Sequence, residues 1–329
     1  MNSRRKLVIA LGASALTAPF GSFAQKRTNN VPHVAYLSTG SMATNSAFLG
    51  AFKDALRELG YVDGRNIAVD ATWAGDAAYE FPNLATKLVK GNPSAIVTTC
   101  VPSTRAAKQA TRTIPVVMSV DGDPVASGLV ESLARPGANV TGTSTLFEEL
   151  IPKHLEFLKA AVPKARNITI LVNPASLTSP YFSAKFEEAA KQFGVNPAWS
   201  EAKIAADLES VFASMKKRRV DAFIVLTDAF MAGQVQRIVT LANIYKLPGI
   251  YGFSEFSEAG GLMSYGFSFR DYYKGVAGYV DKVLRGVKPS DLPVEQPTKI
   301  ELVINLKTAK TLGIEVPQSI LVRADKVIK

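Results

Sequence analysis

The chain has 329 residues, of which 47% are hydrophobic and 20% are charged, and its formal net charge is +10. This length is typical of about two domains, and the hydrophobic fraction is ordinary for a globular protein with a large core. The single cysteine, Cys100, excludes an intramolecular disulfide and a CxxC metal site. His33 and His154 lie far apart in the sequence, which argues against a histidine-based metal cluster, so no bound metal is expected.

The N-terminus has the pattern of a secretory signal peptide. The first six residues include three basic ones and no acid, Leu7–Phe20 is apolar, and Ser22-Phe23-Ala24 places small residues three and one before a cut after Ala24. Residues 1–24 are therefore predicted to direct export and to be removed, and the apolar stretch is too short to span a membrane. Ser3-Arg4-Arg5 also resembles a twin-arginine signal, although the typical Phe-Leu-Lys is missing, so the route of export stays open.

Removal of this segment would lower the net charge to about +7, a balance that could suit a nucleic acid or an anionic membrane surface. The basic residues are dispersed, however. Their one run, Lys216–Arg219, stands at the end of a predicted helix, where cations complement the helix dipole. The aromatic residues do not follow the pattern of a nucleic-acid platform, so no nucleic-acid partner is predicted.

Strands and helices alternate along the first half of the mature chain. The first helix shows the pattern clearly, with Phe48, Phe52 and Leu56 on one face and Gly60 as its stop. Strands that alternate with helices of about 10–15 residues indicate a parallel, doubly wound sheet. Predicted strands are Val34–Ser38, Asn66–Trp73, Ala95–Thr99 and Ile114–Val120, and predicted helices are Ser46–Leu59, Tyr79–Lys90 and Ser103–Thr111.

The segment Asp121–Thr145 stands between the two halves. Its Asp123-Pro124 pair is typical of a helix start, because Asp can cap free N–H groups and Pro loses only a donor that has no partner there. A short helix through Leu133 is therefore predicted. The β-rich residues Ala138–Thr145 follow, and we interpret them as a hinge strand between two lobes, with the site between the lobes.

The second half repeats the alternation, and two α/β units of similar size predict two doubly wound, Rossmann-like lobes. A connector, Val287–Glu295, with prolines in and near it, precedes the last strand. Predicted strands are Asn167–Val172, Pro197–Trp199, Ala222–Leu226, Gly249–Gly252, Gly261–Gly266 and Ile300–Asn305. Predicted helices are Lys153–Ala161, Tyr181–Phe193, Ala206–Lys217, Ala232–Tyr245, Tyr272–Arg285 and Lys307–Leu312.

Ligands of open α/β sheets bind at the carboxyl ends of the strands, near helix N-termini. In this chain those loops are rich in hydroxyl, amide and carboxylate groups. Such groups suit a small polar or zwitterionic solute, with its carboxylate on a helix N-terminus and its ammonium on an aspartate. The candidate ligand-binding residues are Ser38, Thr39, Thr99, Cys100, Ser103, Asp121, Asn173, Ser176, Tyr181, Thr227, Asp228 and Tyr251.

Several of these residues also have a purely structural explanation. Ser103 and Asn173 are good helix caps, and Asp228 could either cap a helix or pair with an ammonium. Tyrosines such as Tyr251 are more often core residues than walls of a ligand site. Cys100 has no base near it in sequence, which favours a small buried or loop residue over a nucleophile.

Sequence motifs of common enzymes are absent. There is no GxGxxG after the first strand, no GxxxxGK[ST] phosphate loop and no GxSxG nucleophile motif. The sequence therefore predicts a protein that is not an enzyme and carries no cofactor.

Short blocks along the chain, taken together, carry a specific resemblance. They are Asp123-Pro124-Val125, Gly128-Leu129-Val130, Pro136-Gly137, Asn139-Val140-Thr141-Gly142, Gly60–Asn66, Ile114–Val117, Leu284-Arg285-Gly286, Leu292-Pro293-Val294, Ile304-Asn305, Ala309–Ile314 and Ile320-Leu321. They resemble the signature of ABC-transporter substrate-binding proteins related to the tryptophan- and tyrosine-binding ones. The resemblance covers essentially all of the mature chain. It departs at Tyr265–Tyr273, where the family often has a less aromatic segment rich in small residues.

The resemblance implies a periplasmic-binding-protein type I fold, with two lobes, three crossovers and a ligand enclosed by hinged closure. Lobe 1 is expected over residues 31–142 and 261–288, and lobe 2 over residues 143–260 and 297–329. A strand near Gly261–Gly266 would return the chain to lobe 1, and the connector would cross again.

The expected function is that of an exported, periplasmic, monomeric protein that delivers a small solute to an ABC permease in the inner membrane. The alternative is a periplasmic ligand-sensing module that presents its closed form to a signalling partner. An aromatic amino acid or a related carboxylate is the leading hypothesis for the solute. Asp121 or Asp228 could pair with its ammonium, and Tyr181 or Tyr251 could wall its ring.

Overall fold

The structure is a computed structural model that describes residues 31–75, 77–120, 122–145, 147–174, 180–225 and 228–329. Of Ala78, Val120, Glu148 and residues 180–183 it describes the backbone alone. Pro32–Lys329 forms one compact unit that contains two separate β-sheets with helices packed on them. The predicted signal peptide lies outside the described residues.

The first sheet is built from the first half of the chain and is entirely parallel. Its strands are β1 (His33–Ser38), β2 (Ala68–Trp73), β3 (Ala95–Thr98), β4 (Val116–Val120) and β5 (Val140–Ser144), in the spatial order β2-β1-β3-β4-β5. The helices between them are α1 (Met42–Glu58), α2 (Phe81–Lys90) and α3 (Val101–Ala110). Strands β3 and β5 are buried along their whole length, as expected of a parallel sheet with helices on both faces.

The second sheet has seven strands in the order β12-β11-β10-β9-β8-β6-β7. These strands are β6 (Asn167–Val172), β7 (Asn196–Glu201), β8 (Ala222–Val225), β9 (Gly249–Phe253), β10 (Met263–Phe267), β11 (Glu301–Asn305) and β12 (Lys326–Ile328). The pair β10–β11 is antiparallel and the other pairs are parallel. The predicted alternation of strands and helices and the two-lobed α/β architecture are thus confirmed.

Helices connect the strands of the second half and cover its sheet. They are α4 (Ile151–Ala161), α5 (Pro180–Phe193), α6 (Asp207–Lys217), α7 (Ala229–Gly233), α8 (Val235–Ile244), α9 (Ser254–Glu258), α10 (Phe269–Leu284), α11 (Leu306–Leu312) and α12 (Gln318–Leu321). The helix predicted over Ala232–Tyr245 is in fact two, α7 and α8, with a break at Gln234. Within the described ranges, the structure contains no helix with the length and apolar character that a bilayer crossing requires.

The chain passes between the two sheets three times. The first passage follows β5, and the second lies between β10 and α10. The third leads from Glu295, which pairs with Thr143 of β5, to β11. In the second passage only Ser268 separates a strand of the second sheet from α10, which packs on α1 and on the first sheet. All three passages lie beside the edge strand β5, so they can act together as a hinge.

The predicted return of residues 261–266 to lobe 1 is wrong. Met263 pairs with Ile250 of β9 and with Ile304 of β11, so this strand belongs to the second sheet. The helix after it does lie on the first lobe: the rings of Phe48 and Phe269 meet edge to face at 4.5 Å. Strand β10 belongs to the second sheet because it lies between β9 and β11 and pairs with both. The chain crosses to the first lobe at Ser268, directly after β10.

The helix predicted from Asp123 to Leu133 is also absent, and turns replace it. Asp123 does cap local N–H groups, because its Oδ1 accepts from Val125 and Ala126 at 2.8 and 3.1 Å. The next turns close on Pro124, whose carbonyl accepts the N–H of Leu129 at 2.8 Å. The Lys108 ammonium of α3 also holds the carbonyl of Leu129 at 3.0 Å, so a tertiary contact occupies a carbonyl that a helix would use.

Candidate ligand-binding site

A cavity lies between the carboxyl ends of strands from both sheets. About 380 Å³ of space is free of protein atoms there, counting the part open to solvent. Both lobes contribute to its walls. The lining residues are Ser38, Phe48, Thr99, Ser119, Thr145, Phe147, Asp228, Ala229, Ala232, Phe253, Phe269, Tyr272 and Tyr273.

The first lobe presents four hydroxyl groups, one near the carboxyl end of each of four strands. Ser38 ends β1, Thr99 follows β3, Ser119 lies in β4 and Thr145 follows β5. Thr99 Oγ1 donates to Ser38 Oγ at 2.8 Å. The Oγ1 of Thr145 is buried and has no hydrogen-bond partner among the described residues. An unsatisfied buried hydroxyl is costly, so this atom is suited to bind a polar group of a ligand.

The N-terminus of α3 points from the same edge of the first sheet. The predicted contact residues Cys100 and Ser103 are engaged in its first turn: the N–H of Cys100 donates to Ser103 Oγ at 3.2 Å, and Ser103 Oγ donates to the Cys100 carbonyl at 2.9 Å. Neither residue lines the cavity. They shape the start of the ten-residue helix, whose dipole favours negative charge nearby.

The second lobe presents one buried carboxylate, Asp228, which is 4% exposed. Its Oδ1 accepts the N–H of Met231 at 2.7 Å and so caps α7, and its Oδ2 accepts from Asn173 Nδ2 at 2.8 Å. Asp228 thus caps a helix, as one of the two explanations predicts, and it also lines the cavity, where its pairing with an ammonium stays a prediction. Asn173 does not line the cavity but fixes the orientation of Asp228.

Six aromatic rings form a continuous wall that joins the lobes. Neighbouring ring centroids lie between 4.2 and 6.1 Å apart, distances at which aromatic pairs attract. In order of contact the rings are Tyr272, Tyr273, Phe48, Phe269, Phe253 and Phe147. Three of them come from Tyr265–Tyr273, the stretch in which the sequence departs from its resemblance. A wall of this kind suits an apolar or aromatic part of a solute.

A buried pair of hydroxyls lies behind this wall. Tyr36 OH and Tyr273 OH are 3.0 Å apart and share a hydrogen bond. Burial, together with the neighbouring Tyr273, raises the pKa of Tyr36 well above its usual value, so the phenol of Tyr36 stays protonated and can take part in that bond. The pair fixes the ring of Tyr273 at the cavity.

Of the predicted site residues, the structure brings Ser38, Thr99 and Asp228 together around the cavity. Asp121, Ser176 and Thr227 lie outside the described residues, as does the side chain of Tyr181, and their role in binding stays a prediction. Ser119 and Thr145 were missed, although the same rule about strand ends applies to them. The aromatic wall was missed because most of its rings lie on helices or beyond a crossover.

Two predicted contact residues lie elsewhere. Thr39 Oγ1 donates to the Gly75 carbonyl at 3.1 Å and joins two loops of the first lobe. Tyr251 is fully buried in the second lobe, where its ring stacks on Phe256 with centroids 4.7 Å apart. The side chain that β9 directs to the cavity is that of Phe253, two residues later and hence on the same face of the strand.

The charge of the described lining is that of Asp228, since no lysine, arginine or histidine is among those side chains. In the part of the chain that the structure describes, no group of three or more His, Cys, Asp or Glu side chains is arranged to hold a metal ion. The arrangement can bind an ammonium on Asp228, hydrogen-bond a polar group on the four hydroxyls and enclose a ring among aromatic side chains.

Comparison with known proteins gives consistent matches. The sequence pattern of the family described as ABC transporter substrate binding protein matches residues 35–328. A tyrosine-binding protein from Clostridioides difficile (strain R20291) is 29% identical over 264 residues, which are 80% of this chain and 76% of that protein.

Two solved structures are similar along most of the chain. The ABC domain in complex with L-Trp from Streptococcus pneumonia is 26% identical with a TM-score of 0.79, over 90% of this chain and 99% of that one. The ligand-free, open structure of a substrate binding protein with adhesive properties from Clostridium difficile is 27% identical with a TM-score of 0.60, over 91% of this chain and 100% of that one. At similar identity, this chain therefore superposes better on the complex than on the open structure.

These similarities extend over both lobes and agree with the architecture, which is that of periplasmic-binding-protein type I structures. The family pattern begins in β1 and ends in β12, so it includes every strand of both sheets. The chain belongs to the family of ABC transporter substrate-binding proteins.

Proposed function

We propose that this protein is the exported solute-binding component of an ABC importer and that its solute is an aromatic amino acid. One observation carries the proposal: a single cavity combines a buried carboxylate on one lobe, strand-end hydroxyls on the other and a wall of six aromatic rings. A zwitterion with an aromatic side chain has a complementary group for each of these features.

The head group of such a solute would join the two lobes. Its ammonium would pair with Asp228 of the second lobe, a charge-assisted contact in a buried position. Its carboxylate would accept hydrogen bonds from hydroxyls of the first lobe, such as Thr145 Oγ1, at the edge of the sheet from which the positive N-terminal end of α3 also points. Because one ligand bonds to both lobes, its binding favours the closed form.

The relatives support the choice of solute, since one is named for tyrosine binding and another was solved with L-Trp. The signal-peptide pattern supports export to the periplasm, and the family supports delivery of the solute to a permease in the inner membrane. The proposed working form is a monomer. In this role the closed, loaded form is the one that the permease recognises.

Titration calorimetry on the mature protein tests the solute. L-Tyrosine, L-tryptophan and L-phenylalanine should bind at least tenfold more tightly than L-leucine. Tryptamine, which lacks the carboxylate, and N-acetyl-L-tryptophan, which lacks the ammonium, should each bind at least tenfold more weakly than L-tryptophan, because each loses the charge-assisted contacts of one group. Tight binding of a neutral sugar with no binding of these amino acids would overturn the proposal.

A further inference from the structure

Helix α1 of the first lobe and helix α7 of the second meet at Asn45. This side chain is 1% exposed, and its Nδ2 donates to the Ala229 carbonyl at 3.3 Å. Ala229 is the first residue of α7, directly after Asp228, and it lines the cavity. The hydrogen bond therefore joins the lobes beside the buried carboxylate without using a group of the solute.

The other end of α7 approaches the same side chain. A Cβ atom on Gly233 would overlap Asn45 Oδ1 and would lie 3.2 Å from Asn45 Cγ and 3.4 Å from the Thr44 carbonyl oxygen. Gly233 is absent from the glycines with positive φ, so its backbone does not require glycine. In a helix, glycine costs about 0.5–1 kcal/mol relative to alanine. Because Gly233 has no side chain, α1 can pack closely against α7 at this position.

We propose that Asn45 and Gly233 form a closure latch, in which a hydrogen bond and a side-chain-free surface let the lobes meet and so set the affinity for the solute. The inference rests on the proposed function, because it assigns these residues a role in solute capture. Neither residue lines the cavity, so the latch acts through the open–closed equilibrium and not through contact with the solute. The apparent affinity of a protein falls in proportion to the fraction that can reach its binding-competent form.

Gly233→Ala is the first test, with L-tyrosine and L-tryptophan as the probes in calorimetry. The added methyl group would overlap the buried Asn45 amide and so oppose the approach of α1, and affinity should fall at least tenfold. Gly50→Ala is the matched control, because Gly50 lies in α1 and nothing stands within 4 Å of a Cβ there. It should bind both probes as the wild type does. Equal affinity in Gly233→Ala and the wild type would overturn the latch.

A double variant separates the latch from damage to the fold. In Asn45→Ala/Gly233→Ala, the amide that the new methyl group overlaps is gone. Its affinity should therefore be within about threefold of that of Asn45→Ala alone. If the Gly233→Ala loss persists unchanged without the amide, the two residues do not act as a pair and the proposal is wrong.

A cross-lobe disulfide tests the contact without any solute. In a disulfide, the Cβ of one cysteine lies about 3 Å from the sulfur of the other, close to the 3.2 Å between a Gly233 Cβ and Asn45 Cγ. Asn45→Cys/Gly233→Cys should oxidise to this bond, detected by peptide mass spectrometry, whereas Gly50→Cys/Gly233→Cys should not. Failure of the first pair to form the bond would overturn the latch. A wild type that binds neither probe would overturn the proposed function, and the disulfide would then decide separately whether the lobes meet at these two residues.

Discussion

At the scale of single residues, Asp228 has three roles in one side chain. It caps α7, accepts a hydrogen bond from Asn173 and provides the charge of the described cavity lining. The cap and the bond from Asn173 each use one acceptor oxygen, and the third role needs a charge. Asparagine keeps one oxygen for the cap and loses the charge, so a substitution can separate these two roles.

Asp228→Asn should weaken binding of L-tyrosine or L-tryptophan by about 10- to 100-fold, because a hydrogen bond to a charged group contributes roughly 1.5–3 kcal/mol. The thermal midpoint should change little, since asparagine also caps helices. Calorimetry and thermal unfolding measure the two effects. Asp123→Asn is the matched control: Asp123 caps a turn but does not line the cavity, so its affinity should equal that of the wild type. Unchanged affinity in Asp228→Asn would show that the ammonium of the solute does not pair with Asp228.

His154 of α4 is the second residue whose surroundings determine its chemistry. It is 2% exposed, its Nε2–H donates to the Tyr265 carbonyl at 2.7 Å, and its Nδ1 is buried with no partner among the described residues. Burial lowers its pKa from 6.5 to about 4, and the bond to Tyr265 offsets part of that shift. The neutral ring is thus part of the folded state.

Stability should therefore depend on pH through His154. Because its pKa is lower in the folded than in the unfolded protein, its contribution is fully present above pH 6.5 and is lost as the pH falls through 4. Between pH 7 and 4, the wild type should lose roughly 3 kcal/mol more unfolding free energy than His154→Gln, whose amide can still donate to Tyr265. Urea unfolding of both proteins at each pH measures this difference. Equal losses of unfolding free energy in the wild type and His154→Gln would show that His154 does not cause the pH dependence.

At the scale of secondary-structure elements, the second passage between the sheets is held by a carboxylate. Glu255, in the first turn of α9, accepts the N–H of Phe269 at 2.6 Å, and Ser254 Oγ donates to its other oxygen at 3.3 Å. Phe269 starts α10 and is one ring of the aromatic wall. Burial raises the pKa of Glu255 to about 7, with a smaller contribution from Glu258, which is itself paired with Lys326 at 2.6 Å.

The contribution of Glu255 to stability should depend on pH with the opposite sign to that of His154, and Glu255→Gln should remove it. A carboxyl whose pKa is higher in the folded state stabilises fully below its unfolded pKa of 4.5, and that stability is lost as the pH rises through 7. Glutamine stays neutral and still accepts from Phe269. From pH 5 to pH 8 the variant should gain about 2 kcal/mol of unfolding free energy relative to the wild type, as chemical denaturation can measure. A constant difference across this range would contradict the assignment.

Elements were predicted well where their pattern is local, and less well where distant contacts decide. The apolar strands of both sheets and the amphipathic α1 follow from periodicity alone. The turns after Asp123 do not, because Lys108 of α3 takes part in setting them. Strand β10 carries no local mark of its sheet, since the choice depends on β9 and β11 on either side.

The site shows the same limit. Ser38, Thr99 and Asp228 follow from the rule that ligands meet the carboxyl ends of parallel strands. Tyr273 could not be found in this way, because it reaches the cavity from a helix that crosses to the other lobe. Nor could sequence distinguish Tyr251 from Phe253, which lie on the same strand but only one of which reaches the cavity.

At the scale of the whole molecule, export is the prediction that the N-terminus carries. In a periplasmic fraction, the protein should begin at Gln25, as N-terminal sequencing or intact mass can show. Ala24→Asp should block the cut and keep the precursor, while Arg4→Lys/Arg5→Lys should stop export only if the twin-arginine route is used. A periplasmic protein that still begins at Met1 would contradict the prediction.

The position of α10 has a consequence for how the chain is made. The first sheet is complete at Ser144, yet a helix that packs on β3, β4 and β5 begins only at Phe269. During synthesis, the part of the N-terminal sheet that α10 covers therefore stays exposed while most of the second lobe is added. A nascent chain with exposed apolar surface is prone to aggregate and is a substrate for chaperones. The same delay keeps the chain unfolded for longer, which is the state that a translocation channel for unfolded polypeptides accepts.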